Sequence, residues 1–491
     1  MKNDLIKLLL TGLTIFTLHN TILARRVSGD NDGYEIKVKL TDYNSDTLYL
    51  GYQMGGQTYL SDTAFLDKNS GFFTFKKEKK LNSGVYLVVV ASKDNYFQIM
   101  VNDKEQHFSL ITSTALPYYE ATLKGSKDNE LFYNYMKFLS AKRKDAEAAG
   151  ALRARDSIAA MKKFDDLDKE VKAYQWDLAK KNPTTVSAIL IKSAIEIEMP
   201  KFEEVKDAEK KQLSQYYYYK EHCFENFELG NPALLRTPVL QQRVDYYIDK
   251  LTPQHPDSVY ESCERILEAM KPAKETFQFY FVQFLNRYAK SNLVGFDAIY
   301  VHLAKKYIEP GITDEFIEKE NKEKILQNAN KLAPILIGKK APEIKTFKED
   351  NTMVSLSEIK AKYTILFFFA PDCGHCQKQS PFLVEFYKKV KERKLDVKVA
   401  AVCTYVGPDK MPECLKYIKE KGFDDFINTI DPYMISRYKT LYNVETTPAL
   451  FVLDENKIIR SKNIEAKQLE EVIDFLMKED AEKIQKEVKG N

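Results

Sequence analysis

Tyr363-Thr364-Ile365-Leu366-Phe367-Phe368-Phe369-Ala370-Pro371-Asp372-Cys373-Gly374-His375-Cys376 is the stretch on which the fold turns. Its first seven residues are almost continuously apolar, as a strand buried on both faces must be. Two cysteines three apart follow, and the pattern after them is helical through about Lys394. A buried strand that passes into a helix at such a pair brings both thiols near one face of the first helical turn. Unpaired N–H groups and the helix macrodipole favour an anion there, which lowers the pKa of Cys373. A thiolate poised near ambient pH is the nucleophile of thiol–disulfide exchange. Cys373 is therefore the expected nucleophile and Cys376, one turn deeper, the expected resolving thiol. Zinc would want four ligands, and no second C-x-x-C exists; c-type haem attachment needs His directly after the second cysteine, where Gln377 stands.

Around this motif, from about Pro334, strands alternate with helices, the mark of an α/β domain. Leu395 to Cys403 reads as a second buried strand. Ala449 to Leu453 and Lys457 to Arg460 read as a hairpin across Asp454-Glu455-Asn456, and Glu465 to Lys478 as a closing helix. Upstream, from about Gly125 to Asn330, the period is helical. Phe132, Tyr135, Met136 and Leu139 form one stripe, and Pro183 to Met199, Val239 to Leu251 and Val259 to Met270 read as further helices. The tyrosines Tyr216 to Tyr219 point all around a helix, so packing explains them better than an aromatic binding surface. Earlier still, Tyr34 to Leu40 alternates apolar and polar, and short Val-, Phe- and Tyr-rich runs continue to Leu110 between turn residues. That pattern predicts a small antiparallel, sandwich-like β domain.

Lys2 and Lys7, a short apolar run from Leu8 to Leu18 and the small residue Ala24 form the pattern of a secretory signal peptide. The expected division is thus a signal peptide over 1–24, a β domain over 30–115, a helical domain over 120–330 and an α/β domain over 334–482. The expected location is the periplasm or cell envelope, with a soluble protein after signal removal. With 491 residues there is room for about three domains. Lys+Arg 74 against Asp+Glu 71 gives no bulk charge that calls for nucleic acid or an anionic membrane. Six cysteines are too few to build a fold from disulfides, so each is read individually. Cys223 and Cys263 lack metal-ligand spacing, and whether they pair is open. For Cys403 and Cys414, buried spectator thiols are the plainer reading and a structural or relay disulfide the sharper one.

Residues 334 to about 480 resemble the thioredoxin fold, in particular its TlpA/ResA-like extracytoplasmic branch. The resemblance rests on Gly338-Lys339-Lys340-Ala341-Pro342 with Val354-Ser355-Leu356, on Phe368 to Cys376, on Pro381 eight residues after Cys373, and on Thr447-Pro448 before the hairpin. It implies a cis-proline loop at Thr447-Pro448 lying against the active site, with the Thr447 backbone pairing with a substrate chain. His375 in the loop is similar to disulfide isomerases and makes the pair more oxidising, whereas the TlpA/ResA-like setting implies reduction. Asp372 stands where thioredoxins carry tryptophan and would raise the Cys373 pKa; the helix dipole and His375 would lower it. Gly374, His375 and Asp372 are thus the expected tuning residues. Phe367 replaces the buried acid of thioredoxins and Gln379 the glutamate of ResA-like proteins, so neither usual proton acceptor for Cys376 is present.

The function expected is an extracytoplasmic oxidoreductase, reductase or isomerase, exchanging disulfides with envelope proteins. It needs no cofactor beyond its dithiol and exchanges electrons with a membrane donor or acceptor. The alternative is an envelope adaptor whose β and helical domains recruit a partner or glycan. A peroxidase would carry Thr or Ser at position 370 and Pro at 366, where this chain has Ala370 and Leu366.

Overall fold

The computed structural model describes residues 33–90 and 95–490. The signal-peptide stretch 1–24 lies outside the described residues. By compactness the chain forms two units, one of residues 1–51 and 60–143, the other of 52–59 and 144–491.

The first unit is built on strands β1 (Tyr34–Leu40), β2 (Thr47–Met54), β3 (Gln57–Asp67), β4 (Phe72–Lys77), β5 (Gly84–Val89), β6 (Tyr96–Val101), β7 (His107–Thr112) and β8 (Thr122–Lys124). They form one sheet in the order β6-β5-β2-β3-β4-β1-β7-β8. Alternation along β1 buries Tyr34, Ile36, Val38 and Leu40 and leaves Glu35, Lys37 and Lys39 outside the core, as a half-buried strand requires. One pairing departs from the antiparallel expectation: β1 runs parallel to β7, from Glu35 opposite His107 to Leu40 opposite Thr112. β3 was not expected at all. Of its eleven residues only Ala64 is buried, so it carries no apolar period to read.

The helices that follow are α1 (Lys127–Leu152), α2 (Ser157–Lys181), α3 (Val186–Ser193), α4 (Ala208–His222), α5 (Pro238–Asp249), α6 (Pro256–Met270), α7 (Lys274–Ala289), α8 (Asp297–Leu303) and α9 (Lys319–Leu332). α3 is shorter than the expected span Pro183–Met199. Thr185 caps its start through the Ala188 N–H, and at its end the Ser193 hydroxyl donates to the Leu190 carbonyl, a local bond that competes with helix propagation. On α4, Tyr216 and Tyr219 pack against the helical core while Tyr217 faces solvent. Cys223 and Cys263 are both buried and unbonded to each other. Burial pushes the Cys263 thiol up to about 12.

The last part begins with β9 (Lys345–Phe347), β10 (Met353–Ser355) and β11 (Tyr363–Phe369). It continues through α10 (Gly374–Glu392), β12 (Val397–Cys403), α11 (Met411–Lys421), β13 (Ile427–Ile430) and α12 (Tyr438–Leu441), and closes with β14 (Ala449–Asp454), β15 (Ile459–Lys462) and α13 (Leu469–Gly490). The sheet order is β10-β9-β13-β12-β11-β14-β15, with β11, β12 and β13 mutually parallel and β14 antiparallel to β11. Every residue of β11 is buried. Its odd-numbered side chains, Tyr363, Ile365, Phe367 and Phe369, join one core with α10, α11 and α13, and Leu366 and Phe368 join a second core with Tyr438 and Tyr442. The layers on both faces explain why this strand reads as an unbroken apolar run. Among the described residues no helix is long and apolar enough to cross a membrane.

Candidate active site

β11 ends at Phe369, and Ala370 accepts the Cys373 N–H at 3.2 Å, closing the turn that carries the chain into α10. Cys373 is the N-cap of that helix, and its sulfur accepts the Cys376 N–H at 3.1 Å, as Ser or Asp oxygens do at other helix starts. Cys376 is fully buried, Cys373 is partly exposed, and both are free thiols. The Cys373 thiol also donates to the Thr447 carbonyl at 3.1 Å, and the peptide bond between Thr447 and Pro448 is cis.

Partial burial works against ionising Cys373. It is outweighed by hydrogen bonds from the Cys376 thiol, the Thr447 hydroxyl and the main-chain N–H groups of Cys376 and His375, so the thiol lies below its ordinary range. Burial and the neighbouring Cys373 sulfur push Cys376 the other way, up to about 12. The two thiols are thus shifted in opposite directions. His375 contributes through its main-chain N–H. The exposed Asp372 side chain lies near enough to Tyr405, in the loop after β12, to add to the burial that raises that hydroxyl's pKa.

The two missing acids have different replacements. Phe367 stacks on Phe369 at 5.9 Å within the core, and the Gln379 side chain accepts the Ala466 N–H at 2.7 Å, holding the turn before α13. Beneath Cys376 lies a polar pair that sequence reasoning did not single out. The Ser380 hydroxyl donates to the Cys376 carbonyl at 2.8 Å and lies 2.8 Å from the Tyr417 hydroxyl. Ser380 has one proton to give, so Tyr417 is the donor to Ser380. Tyr417 stacks on Phe369 at 5.1 Å and belongs to α11. The only local signal was a serine four residues after Cys376 beside Pro381, where a mid-helix hydroxyl bonds back to a carbonyl.

Cys403 and Cys414 form a disulfide, which corrects the reading of spectator thiols. Cys403 lies opposite Phe369 in the β11–β12 register and Cys414 sits one turn before Tyr417, so the crosslink fastens α11 to the strand edge beside the redox turn. Among the described residues no group of three or more His, Cys, Asp or Glu could hold a metal ion.

Residues 337–462 match the AhpC/TSA family, residues 169–332 a domain of unknown function (DUF5106), and residues 34–132 another (DUF4369). No curated protein matches the chain. Among solved structures, the chain is similar to a domain of a possible thiol-disulfide isomerase from Cytophaga hutchinsonii, at 34% identity over 31% of this chain and 99% of that one, with a TM-score of 0.28. A thioredoxin-like protein from Bacteroides caccae matches at 16% identity over 57% of this chain and 98% of that one, TM-score 0.43. A putative thiol:disulfide interchange protein DsbE from Chlorobium tepidum matches at 24% identity over 28% and 94%, TM-score 0.25. The C-terminal part of the chain, residues 337–462, is thus an AhpC/TSA-type, thioredoxin-like domain, preceded by a β-rich and a helical region that match domains of unknown function.

Proposed function

We propose that the protein is an extracytoplasmic oxidoreductase that exchanges disulfides with proteins of the cell envelope through Cys373 and Cys376. The observation that carries this reading is the opposite tuning of the two sulfurs, one lowered at a helix start and the other buried and raised. The Cys373 thiolate attacks one sulfur of a partner disulfide, forming a mixed disulfide and expelling the other partner sulfur as a thiolate. Cys376 then gives up its proton, in net terms to the expelled thiolate, and attacks Cys373. The partner leaves as a dithiol, and two electrons have passed from the enzyme to it. Run backwards, the same steps oxidise a partner dithiol.

Thr447 serves the substrate as well as the thiol. Its carbonyl accepts the Cys373 S–H at 3.1 Å in the reduced protein. Once Cys373 has reacted, that carbonyl is free for an N–H of a substrate strand beside Pro448. Asp372, Gly374 and His375 form the rim against which the partner sulfur approaches. The dithiol is the whole redox group, with no further cofactor, and a membrane donor or acceptor recycles it.

The reading is tested with Cys376→Ser, which removes the resolving step. Expressed in an envelope-bearing host, the variant should accumulate adducts of higher mass that dithiothreitol releases, while Cys373→Ser accumulates none. Equal recovery from both variants would sink the assignment of Cys373 as nucleophile.

A further inference from the structure

The helical region and the thioredoxin-like domain fall within one compact unit, and three attachments join them. The first lies in the chain itself. α9 ends at Leu332 and a single 3₁₀ turn spans Ala333–Ile335. Ile335 is buried in the core of the thioredoxin-like domain beside Leu366 and Phe368, whereas Leu336 is buried in the helical core. Consecutive side chains sunk into two different close-packed cores anchor the connection on both sides.

The second attachment is ionic. The Lys462 side chain on β15 is 2% exposed, and its ammonium lies 2.5 Å from the Asp297 carboxylate at the start of α8. The other oxygen of Asp297 is buried with no hydrogen-bond partner, so Lys462 is what compensates this carboxylate. Removing the Asp297 charge would leave the Lys462 ammonium buried without its counter-charge for as long as the regions stay together, which favours their separation. The third attachment reaches the redox site. Lys331, near the end of α9, lies 3.3 Å from Glu445. Glu445 is two residues before Thr447, at most about 7 Å of chain, and the Thr447 carbonyl is 3.1 Å from the Cys373 sulfur.

We infer that the helical region is a fixed wall of the redox site, which restricts Cys373 to disulfides on narrow, extended or protruding segments. A substrate strand pairing at Thr447 would run past a loop that α9 reaches through the Lys331–Glu445 pair. The substrate part rests on the oxidoreductase reading above; the joint itself does not.

The test uses the full chain, pre-reduced, in single-turnover reactions with 5,5′-dithiobis(2-nitrobenzoic acid) as a small disulfide and native insulin as a folded one. Asp297→Asn should leave the rate with the small disulfide within twofold and raise the rate with insulin at least fivefold. The apolar double variant Asp297→Leu/Lys462→Met should close the joint again and return both rates to the original. Lys331→Glu, an exposed change, opens the third attachment by charge repulsion and should move the insulin rate the same way, two- to threefold. Calorimetry should show the two regions unfolding together in the original chain and separately in Asp297→Asn. An unchanged ratio of insulin to small-disulfide rates in both Asp297→Asn and Lys331→Glu overturns the wall. A single unfolding transition in Asp297→Asn overturns the ionic joint. If the original chain reacts with neither disulfide, the oxidoreductase reading falls instead, and the calorimetry still decides the joint.

Discussion

Removing the Cys403–Cys414 crosslink with Cys403→Ala/Cys414→Ala tests how firmly α11 is fastened beside the redox turn. The bond closes a loop with a sequence separation of 11. By loop-closure entropy, a crosslink over that length removes about 9 cal/mol/K from the unfolded chain, which stabilises the folded state by about 2.8 kcal/mol at 25 °C. Both sulfurs are buried, so truncation to alanine adds a small cavity cost in the same direction. For a domain of about 150 residues, each kcal/mol moves the thermal midpoint by roughly 2–4 °C, so the transition containing the thioredoxin-like domain should fall by about 6–11 °C. Calorimetry without reductant measures this, with the intact chain in dithiothreitol as a second comparison. The variant also loosens Tyr417, one turn beyond Cys414, so amide exchange from Cys376 to Ser380 should accelerate. A midpoint drop below about 2 °C would refute the reasoning, because the crosslink would then constrain nothing that unfolds.

Two further outcomes follow from the site. The lowered Cys373 thiol ionises first, so its alkylation by iodoacetamide should rise with pH around a midpoint below the ordinary value of about 8.5. Cys376, pushed up to about 12, should stay unlabelled in the native reduced protein across the neutral range; peptide mass spectrometry reads both, and the reverse order would contradict the assignment. Asp431, 1% exposed, accepts the Ile435 N–H, the Ser436 N–H and the Ser436 hydroxyl. Asp431→Asn turns an amino group toward those donors and should cost about 1–3 kcal/mol in urea unfolding, and an unchanged midpoint would show that the loop after β13 does not depend on them.

The thioredoxin-like domain was legible because its central strand is buried on both faces and its cysteines interrupt the pattern where strand becomes helix. Those are local signals, readable within fourteen residues. Thr447-Pro448 was legible only through the resemblance, since nothing local says that a Thr-Pro pair far downstream returns to the Cys373 sulfur. The Ser380–Tyr417 pair depends on how α10 and α11 pack, and the Cys403–Cys414 bond on how α11 packs against β12; packing geometry leaves no mark on either element alone. β3 escaped because a strand exposed on much of its surface has no alternation to show. The His375 main-chain N–H that meets the Cys373 sulfur is a detail of the same kind. Spacing places a residue on a turn, but it does not say whether the side chain or the main chain meets the sulfur.

The order of the strands bears on how the chain comes to be folded. β11 takes β12 on one edge and β14 on the other, and β14 is made only after α11, β13 and α12. As the polypeptide emerges from its N-terminal end, the strand that delivers Cys373 has one edge of unpaired N–H and C=O groups until β14 follows, a template for wrong pairing with other chains. Cys403 and Cys414 emerge within that interval. Their bond takes two of the four thiols of this domain out of circulation. When the sheet is finally completed, the dithiol left for partners is the one at the helix start.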